Sequence, residues 1–148
     1  MTPDPIVTEL RLPTRLGFEK VAMHTAASVA EIMGFSSDRV EDLKTAVSEA
    51  CINAIEHGNQ LNEQLGVVVT MSMSLESLEV KIRDHGQGVQ GEMQMPDIDR
   101  KMMGEEHPRG MGMFLIQALV DEVEYVSEQS GGGSYARLVI HLHPEGKN

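Results

Sequence analysis

Three polar side chains recur at four-residue steps in the stretch SEACINAIEHGN, namely Glu49, Asn53 and His57. Four residues of an α-helix turn by about 400°, so these side chains are predicted to form one slowly drifting stripe beside the apolar core positions. A solvated helix face is the ordinary interpretation of such a stripe. Asparagine is a poor helix former, however, and a carboxylate followed by an amide oxygen resembles a half-site for Mg²⁺.

A second candidate site lies in the stretch LEVKIRDHGQGV. The alternation over residues 78–84 predicts a strand in which Asp84 continues the apolar face. An unpaired carboxylate on a buried face costs several kcal/mol, so Asp84 requires a hydrogen-bond donor. Gly86 and Gly88 follow, where the backbone can turn sharply and approach a ligand closely. The alternative interpretation is an ordinary strand that ends in a D-x-G turn.

A third candidate site is the stretch PRGMGMFLIQALV, in which Gly110 and Gly112 precede an apolar helix. The free N–H groups at the start of a helix bind phosphate without any basic patch. Arg109 adds a charge-assisted contact to such a site. By itself, a Gly-x-Gly pattern before a helix is weak evidence for phosphate binding.

The elements that must position these residues follow from the hydrophobic pattern. Helical spacing predicts three helices, of which the first covers residues 15–33 and the third covers 110–120. The second begins at one of three N-cap candidates, Ser36, Ser37 or Asp38, and stops at Gly58 and Asn59. Alternation predicts strands over 6–13, 66–74 and 78–84, and two more in 121–143. Strands joined by hairpins and segregated from helices predict an α+β two-layer sandwich with a mixed, mainly antiparallel sheet and helices on one face.

Composition limits the function classes. The 148 residues suit one domain, and the net charge of −11, with 3% aromatic residues and no Trp, argues against direct nucleic-acid binding. No apolar run is long enough to span a membrane, and the N-terminal stretch MTPDPIVTEL lacks a signal-peptide pattern, so a cytoplasmic protein is expected. The single cysteine, Cys51, is expected to be a small buried hydrophobe.

The order and spacing of the three motifs closely resemble those of the GHKL (Bergerat-fold) ATPases. A helix with E-x-x-x-N-x-x-x-H, then a strand ending in D-x-G-x-G, then R-G-x-G opening a helix, follow one another between about residues 15 and 142. Within that superfamily the chain resembles the anti-sigma factor serine kinases, on the stretches TAVSEACINAIEHG and RGMGMFLIQALVDEVEY. The resemblance implies one histidine kinase-like ATPase domain over residues 1–148, with a lid at about 89–109.

The resemblance also implies roles for the helix residues and the phosphate-binding turn. Glu49 would be the general base that polarises a partner's hydroxyl group, and Asn53 would hold Mg²⁺. Gly110, Met111 and Gly112 would form the turn that binds the ATP phosphates. His57 matches a histidine at the end of the family's helix and is expected to be structural.

The base of the nucleotide is implied to lie at the strand ends. Asp84 would accept a hydrogen bond from the adenine amino group, and Gly86 and Gly88 would let the base and sugar approach the backbone. Ser134 stands where the family usually has Thr, beside the adenine. Arg109 stands slightly later than the arginine that contacts the γ-phosphate in some members.

Three functions are compatible with this resemblance. The first is an ATP- and Mg²⁺-dependent serine kinase that phosphorylates an anti-sigma factor antagonist, sequesters a sigma factor and forms a homodimer. The second is a nucleotide-gated module that binds a partner without useful kinase activity, which the position of Arg109 and the acidic, Met-rich lid suggest. The third, the ATPase half of a histidine kinase, is disfavoured because no phospho-accepting histidine segment precedes the domain.

Overall fold

The computed structural model describes residues 3–85, 109–127 and 133–143, with side chains in the last helix described from Gly112 onward. The predicted lid at 89–109 falls almost entirely outside the described residues, as does the Gly-rich turn before Ser134. In chain order the elements are β1 (Ile6–Pro13), α1 (Glu19–Met33), α2 (Ser37–Asn53), a π-helical turn (Ala54–Gly58), β2 (Gly66–Met73), β3 (Ser77–Asp84), α3 (Arg109–Leu119), β4 (Glu122–Ser127) and β5 (Ser134–His141).

The five strands form one sheet in the order β1-β2-β3-β5-β4. Each neighbouring pair in that order is antiparallel. The predicted α+β architecture is confirmed, whereas the expected parallel component of a mixed sheet is missing from the described strands. Placing β5 between β3 and β4 brings the end of β3 beside the start of β5, where Asp84 is opposite Ser134.

The core lies between one face of the sheet and the helices. The central strands bury alternate residues, as period-two patterning requires, and Leu78, Val80 and Ile82 of β3 are at most 1% exposed. Helix α1 contributes small residues to this core, among them Ala22, Ala26 and Ala30. Cys51 also lies in the core, and burial raises the pKa of its thiol to about 12, so Cys51 is the unreactive hydrophobe that the sequence predicts.

Helix α1 begins four residues later than predicted, at Glu19 rather than Arg15. The intervening chain turns at Gly17, whose φ of +109° is a left-handed conformation that glycine adopts without strain. The Gly17 N–H donates to the Glu19 carboxylate at 2.7 Å. The helix ends as predicted at Gly34, whose φ is +96° and whose N–H bonds back to the carbonyl of Ala30.

Helix α2 ends at Asn53 and continues as the π-helical turn, so the predicted α-helix up to Gly58 is too long. The Asn59 N–H bonds to the Ala54 carbonyl at 2.8 Å, which spans five residues where an α-helix spans four. His57 lies in this π turn, so the backbone that carries it departs from the α-helix that the sequence predicts. Its alignment with Glu49 and Asn53 stays a prediction.

Among the helices that the structure describes, none is both long enough and apolar enough to cross a bilayer.

The N-cap of α2 can be tested directly. Ser36 has an extended backbone, and its hydroxyl accepts a hydrogen bond from the Arg39 N–H at 3.3 Å, whereas Ser37 is already helical. We expect Ser36→Ala to lower the free energy of unfolding by about 1 kcal/mol and Ser37→Ala to lower it by less than half as much. Urea unfolding followed by circular dichroism measures both. Equal losses in the two variants would show that Ser36 is not the cap.

Candidate functional site

The polar stripe of α2 faces the first turn of α3. A Cβ added to Gly112 would lie 3.1 Å from Oε2 of Glu49 and 3.2 Å from Nδ2 of Asn53. Both distances are shorter than nearly all contacts that real Cβ atoms make, so a side chain at Gly112 would displace one of the two groups. The structure thus brings Glu49, Asn53 and Gly112 together, and the glycine leaves room for the polar side chains between the helices.

Asn53 is the most unusual residue in this group. It is only 4% exposed, yet neither its Oδ1 nor its Nδ2 has a hydrogen-bond partner within the part of the chain that the structure describes. A buried polar group without a partner costs about 1–3 kcal/mol, so such groups are rare unless a ligand or ion completes them. The Oδ1 of Asn53 is therefore placed to accept a hydrogen bond or to bind a cation.

The first turn of α3 lies beside this group. Arg109 is the first residue of the helix, so the N–H groups of Arg109, Gly110 and Met111 have no acceptor within the helix, and that of Gly112 is the first that can bond within it. The predicted glycines thus lie inside the first turn rather than before it. The free N–H groups and the helix dipole favour an anion at this end of α3.

The end of β3 forms the second part of the site. Asp84 is 3% exposed, and its Oδ2 accepts a hydrogen bond from the Ser134 hydroxyl at 2.9 Å. Ser134, itself 4% exposed, therefore supplies a donor of the kind that the sequence requires for this carboxylate. The two residues are paired across β3 and β5, and the sheet register fixes their contact.

Two glycines allow the backbone to close around Asp84. A Cβ on Gly58, in the π-helical turn, would overlap the Asp84 carboxylate, and a Cβ on Gly133 would overlap the Asp84 carbonyl oxygen. Gly133 also has a φ of +90°, which a residue with a side chain rarely adopts. Neither role follows from the sequence pattern, which marks Gly58 as a helix stop and Gly133 as part of the Gly-rich turn between the last two strands.

One pocket connects the two parts of the site. It opens between α2 and the strands β3, β4 and β5, and both Asn53 and Asp84 reach its wall. The remaining lining residues come from the same elements: Ala50, Ala54, Ile82, Tyr125, Val126, Ser134, Tyr135 and Ala136. The pocket therefore places aromatic and apolar side chains beside a buried carboxylate.

Several predicted site residues lie outside the part of the chain that the structure describes. They include Gly86 and Gly88 and the side chains of Arg109 and Met111. His57 lies in the π turn that follows α2. The roles assigned to all of these residues stay predictions.

Comparison with known proteins identifies the family. A model of the histidine kinase-like ATPase domain matches residues 12–140. The chain belongs to the histidine kinase-like ATPase family. This assignment confirms the GHKL resemblance, and a domain of this family implies ATP binding.

Similar proteins indicate which kind of histidine kinase-like ATPase this chain resembles. The chain is 33% identical over 134 residues to the serine-protein kinase RsbW of Oceanobacillus iheyensis, a match that covers 83% of this chain and 80% of the relative. It is 30% identical over 127 residues to the serine-protein kinase RsbW of Bacillus subtilis, covering 83% and 79% of the two chains. The chain is thus an RsbW-like member of the ATPase family.

A solved structure agrees on the fold. The crystal structure of the RsbU and RsbW domains of Rv1364c from Mycobacterium tuberculosis matches with a TM-score of 0.66 at 19% sequence identity. The match covers 96% of this chain and 34% of that longer chain. At this identity the likeness concerns the fold alone.

The close approach of Gly58 to Asp84 generates a prediction. Gly58→Ala places a methyl group where the carboxylate lies, so we expect a loss of about 1–3 kcal/mol in the free energy of unfolding and weaker ATP binding. Gly66→Ala is the control, because its Cβ would be 3.4 Å from the nearest atom, an ordinary contact. Urea unfolding and calorimetric titration with ATP measure both variants. A Gly58→Ala protein as stable and as tightly binding as Gly66→Ala would contradict the packing described for Asp84.

Proposed function

We propose that this protein is an ATP- and Mg²⁺-dependent serine kinase that phosphorylates an anti-sigma factor antagonist and, in the opposite regulatory state, sequesters a sigma factor. The RsbW relatives support the reaction class. The observation that carries the proposal is the buried Asn53 amide, which has no partner among the described residues and lies, like the Glu49 carboxylate, beside Gly112 in the first turn of α3. A carboxylate, an amide oxygen and a helix N-terminus suit phosphoryl transfer, which depends on positioning and charge neutralisation.

The base-binding end of the proposed site is built on β3 and β5. The Asp84 carboxylate accepts a hydrogen bond from the adenine amino group while it also holds the Ser134 hydroxyl. The apolar wall that includes Ile82 and Tyr125 excludes water from this contact. Gly86 and Gly88 are assigned to the approach of the base and sugar to the backbone on the strength of the family resemblance.

The phosphate end is built on α2 and α3. The free N–H groups in the turn of Gly110, Met111 and Gly112 would bind the phosphate oxygens, and the Oδ1 of Asn53 would be the protein ligand for Mg²⁺. The residues present fit this ion, because the buried Asn53 amide has no partner among the described residues and Mg²⁺ ordinarily takes few protein ligands beside phosphate and water. When bound, Mg²⁺ neutralises charge on the phosphate oxygens.

Glu49 acts at the phosphate end as the general base. Its carboxylate accepts the proton of the partner's serine hydroxyl as that oxygen bonds to the γ-phosphorus and the bond to ADP breaks. Gly112 permits this placement, since a larger residue would crowd Oε2 of Glu49. Arg109 is assigned to the γ-phosphate, where its positive charge would neutralise part of the negative charge on the transferred phosphoryl group.

The proposed partners follow from the same assignment. They are a small antagonist protein that carries the acceptor serine and a sigma factor, both bound in the cytoplasm by a homodimer of this chain. Direct contact with nucleic acid is not part of the proposal, in keeping with the net charge of −11.

The role of Glu49 generates a prediction. We expect Glu49→Gln to slow single-turnover transfer of labelled phosphate from ATP to a serine-bearing candidate antagonist by at least about 100-fold, because the base is lost while the shape is kept. ATP affinity should change little. The control is Glu41→Gln on the exposed side of the same helix, where the Glu41 carboxylate pairs only with Lys44 among the described residues. Its rate should equal that of the wild type.

Two results would contradict the proposal in different ways. Unchanged transfer by Glu49→Gln would remove Glu49 from the base role. ATP binding by the wild type with no transfer to any serine-bearing partner would instead identify a nucleotide-gated binding module.

A further inference from the structure

Asn59 is a buried residue that joins three segments by hydrogen bonds and is not part of the candidate site. It is 2% exposed, and each polar atom of its amide is hydrogen bonded. Nδ2 donates to the Thr14 hydroxyl at 2.9 Å and to the Gly66 carbonyl at 3.0 Å, and Oδ1 accepts from the His85 N–H at 2.8 Å. A buried side chain whose amide nitrogen and amide oxygen are both hydrogen bonded is rigidly held.

The amide of Asn59 stands where the ladder between β2 and β3 stops. The last pair in that ladder is Val68 with Arg83, and the same register would place Gly66 opposite His85. The Asn59 side chain bridges these two residues, taking the N–H of His85 and giving an N–H to the Gly66 carbonyl. The Asn59 side chain therefore takes the place of a backbone pair and links β2 to the end of β3 through hydrogen bonds, beside the pocket.

The bridge holds one particular peptide group. The N–H of His85 and the carbonyl of Asp84 belong to the same peptide plane. Asn59 binds the N–H, and the Gly133 backbone lies so close to the carbonyl oxygen that no Cβ would fit. This plane sets the direction of the Asp84 side chain, and a shift of about 1 Å at a binding group is enough to weaken its interaction strongly.

We propose that Asn59 is a positioning residue for nucleotide recognition: it fixes the Asp84–His85 peptide so that the buried carboxylate meets the 6-amino group of a purine nucleotide. The inference rests on the proposed function, because it takes Asp84 as the acceptor for that amino group. Asn59 itself touches no nucleotide in this account. Its effect is on base discrimination and not on the phosphate end of the site.

The test compares ATP with purine riboside 5′-triphosphate, which lacks the 6-amino group, by calorimetric titration at a temperature well below the unfolding of every variant. For the wild type we expect ATP to bind at least about tenfold more tightly than the analogue. Asn59→Ala should reduce that preference to less than about threefold, through a weaker affinity for ATP and a nearly unchanged affinity for the analogue. A merely structural role would weaken both ligands alike.

Thr14→Val is the matched control. Thr14 is 1% exposed and makes the other arm of the network, accepting from Asn59 and donating to the Leu65 carbonyl at 2.7 Å. We expect this variant to be less stable than the wild type but to keep the wild-type preference for ATP, because the bond from His85 to Asn59 remains. Loss of preference in Thr14→Val as well would assign the effect to general destabilisation and overturn the inference.

The outcomes separate this inference from the proposed function. A wild type that binds both triphosphates equally would refute the assignment of Asp84 to the amino group, and with it the base-binding end of the proposed site. A wild type that discriminates, together with an Asn59→Ala variant that discriminates equally, would refute the role of Asn59 alone. Should Asn59→Ala not fold, amide hydrogen exchange on the wild type decides, since His85 N–H must be protected, and rapid exchange there would overturn the inference.

Discussion

The architecture of the site depends on a carboxylate buried at the end of a sheet strand. Asp84 continues the apolar face of β3 and is almost fully enclosed, so its charge is tolerable only with donors held in place around it. The antiparallel pairing of β3 with β5 supplies Ser134 as one donor. The requirement extends to the backbone, because Gly58 and Gly133 approach Asp84 at distances that no other residue type would permit.

A second constraint acts on the helices. The packing of α3 against α2 buries the Asn53 amide without a partner among the described residues, and Gly112 keeps the space beside it open. Unpaired buried amides lower stability by about 1–3 kcal/mol, so their persistence indicates a binding function. The two constraints meet in one pocket, because Asn53 and Asp84 both line it.

Local patterning was sufficient to predict most of the elements and the burial of Asp84, because alternation and helical spacing are short-range signals. It was insufficient for features that arise from contacts between distant segments. Three such features depend on how α2 meets the sheet: the π turn that ends the helix, the close approach of Gly58 to Asp84 and the bridge made by Asn59. A Gly-Asn pair after a helix has the same sequence signature whether it ends the helix or supports a binding site, so only the tertiary structure separates the two.

The central claim is that the pocket binds ATP with its base at Asp84 and its phosphates, with Mg²⁺, near Asn53. Calorimetric titration of ATP into the wild type and Asp84→Asn, each with and without Mg²⁺, tests it most directly, with Asp42→Asn on α2 as control and thermal unfolding as a check on folding. We predict that Mg²⁺ tightens ATP binding to the wild type and that Asp84→Asn weakens it by at least about tenfold, whereas Asp42→Asn leaves it unchanged. Equal affinity of the wild type and a folded Asp84→Asn protein for ATP would contradict the account.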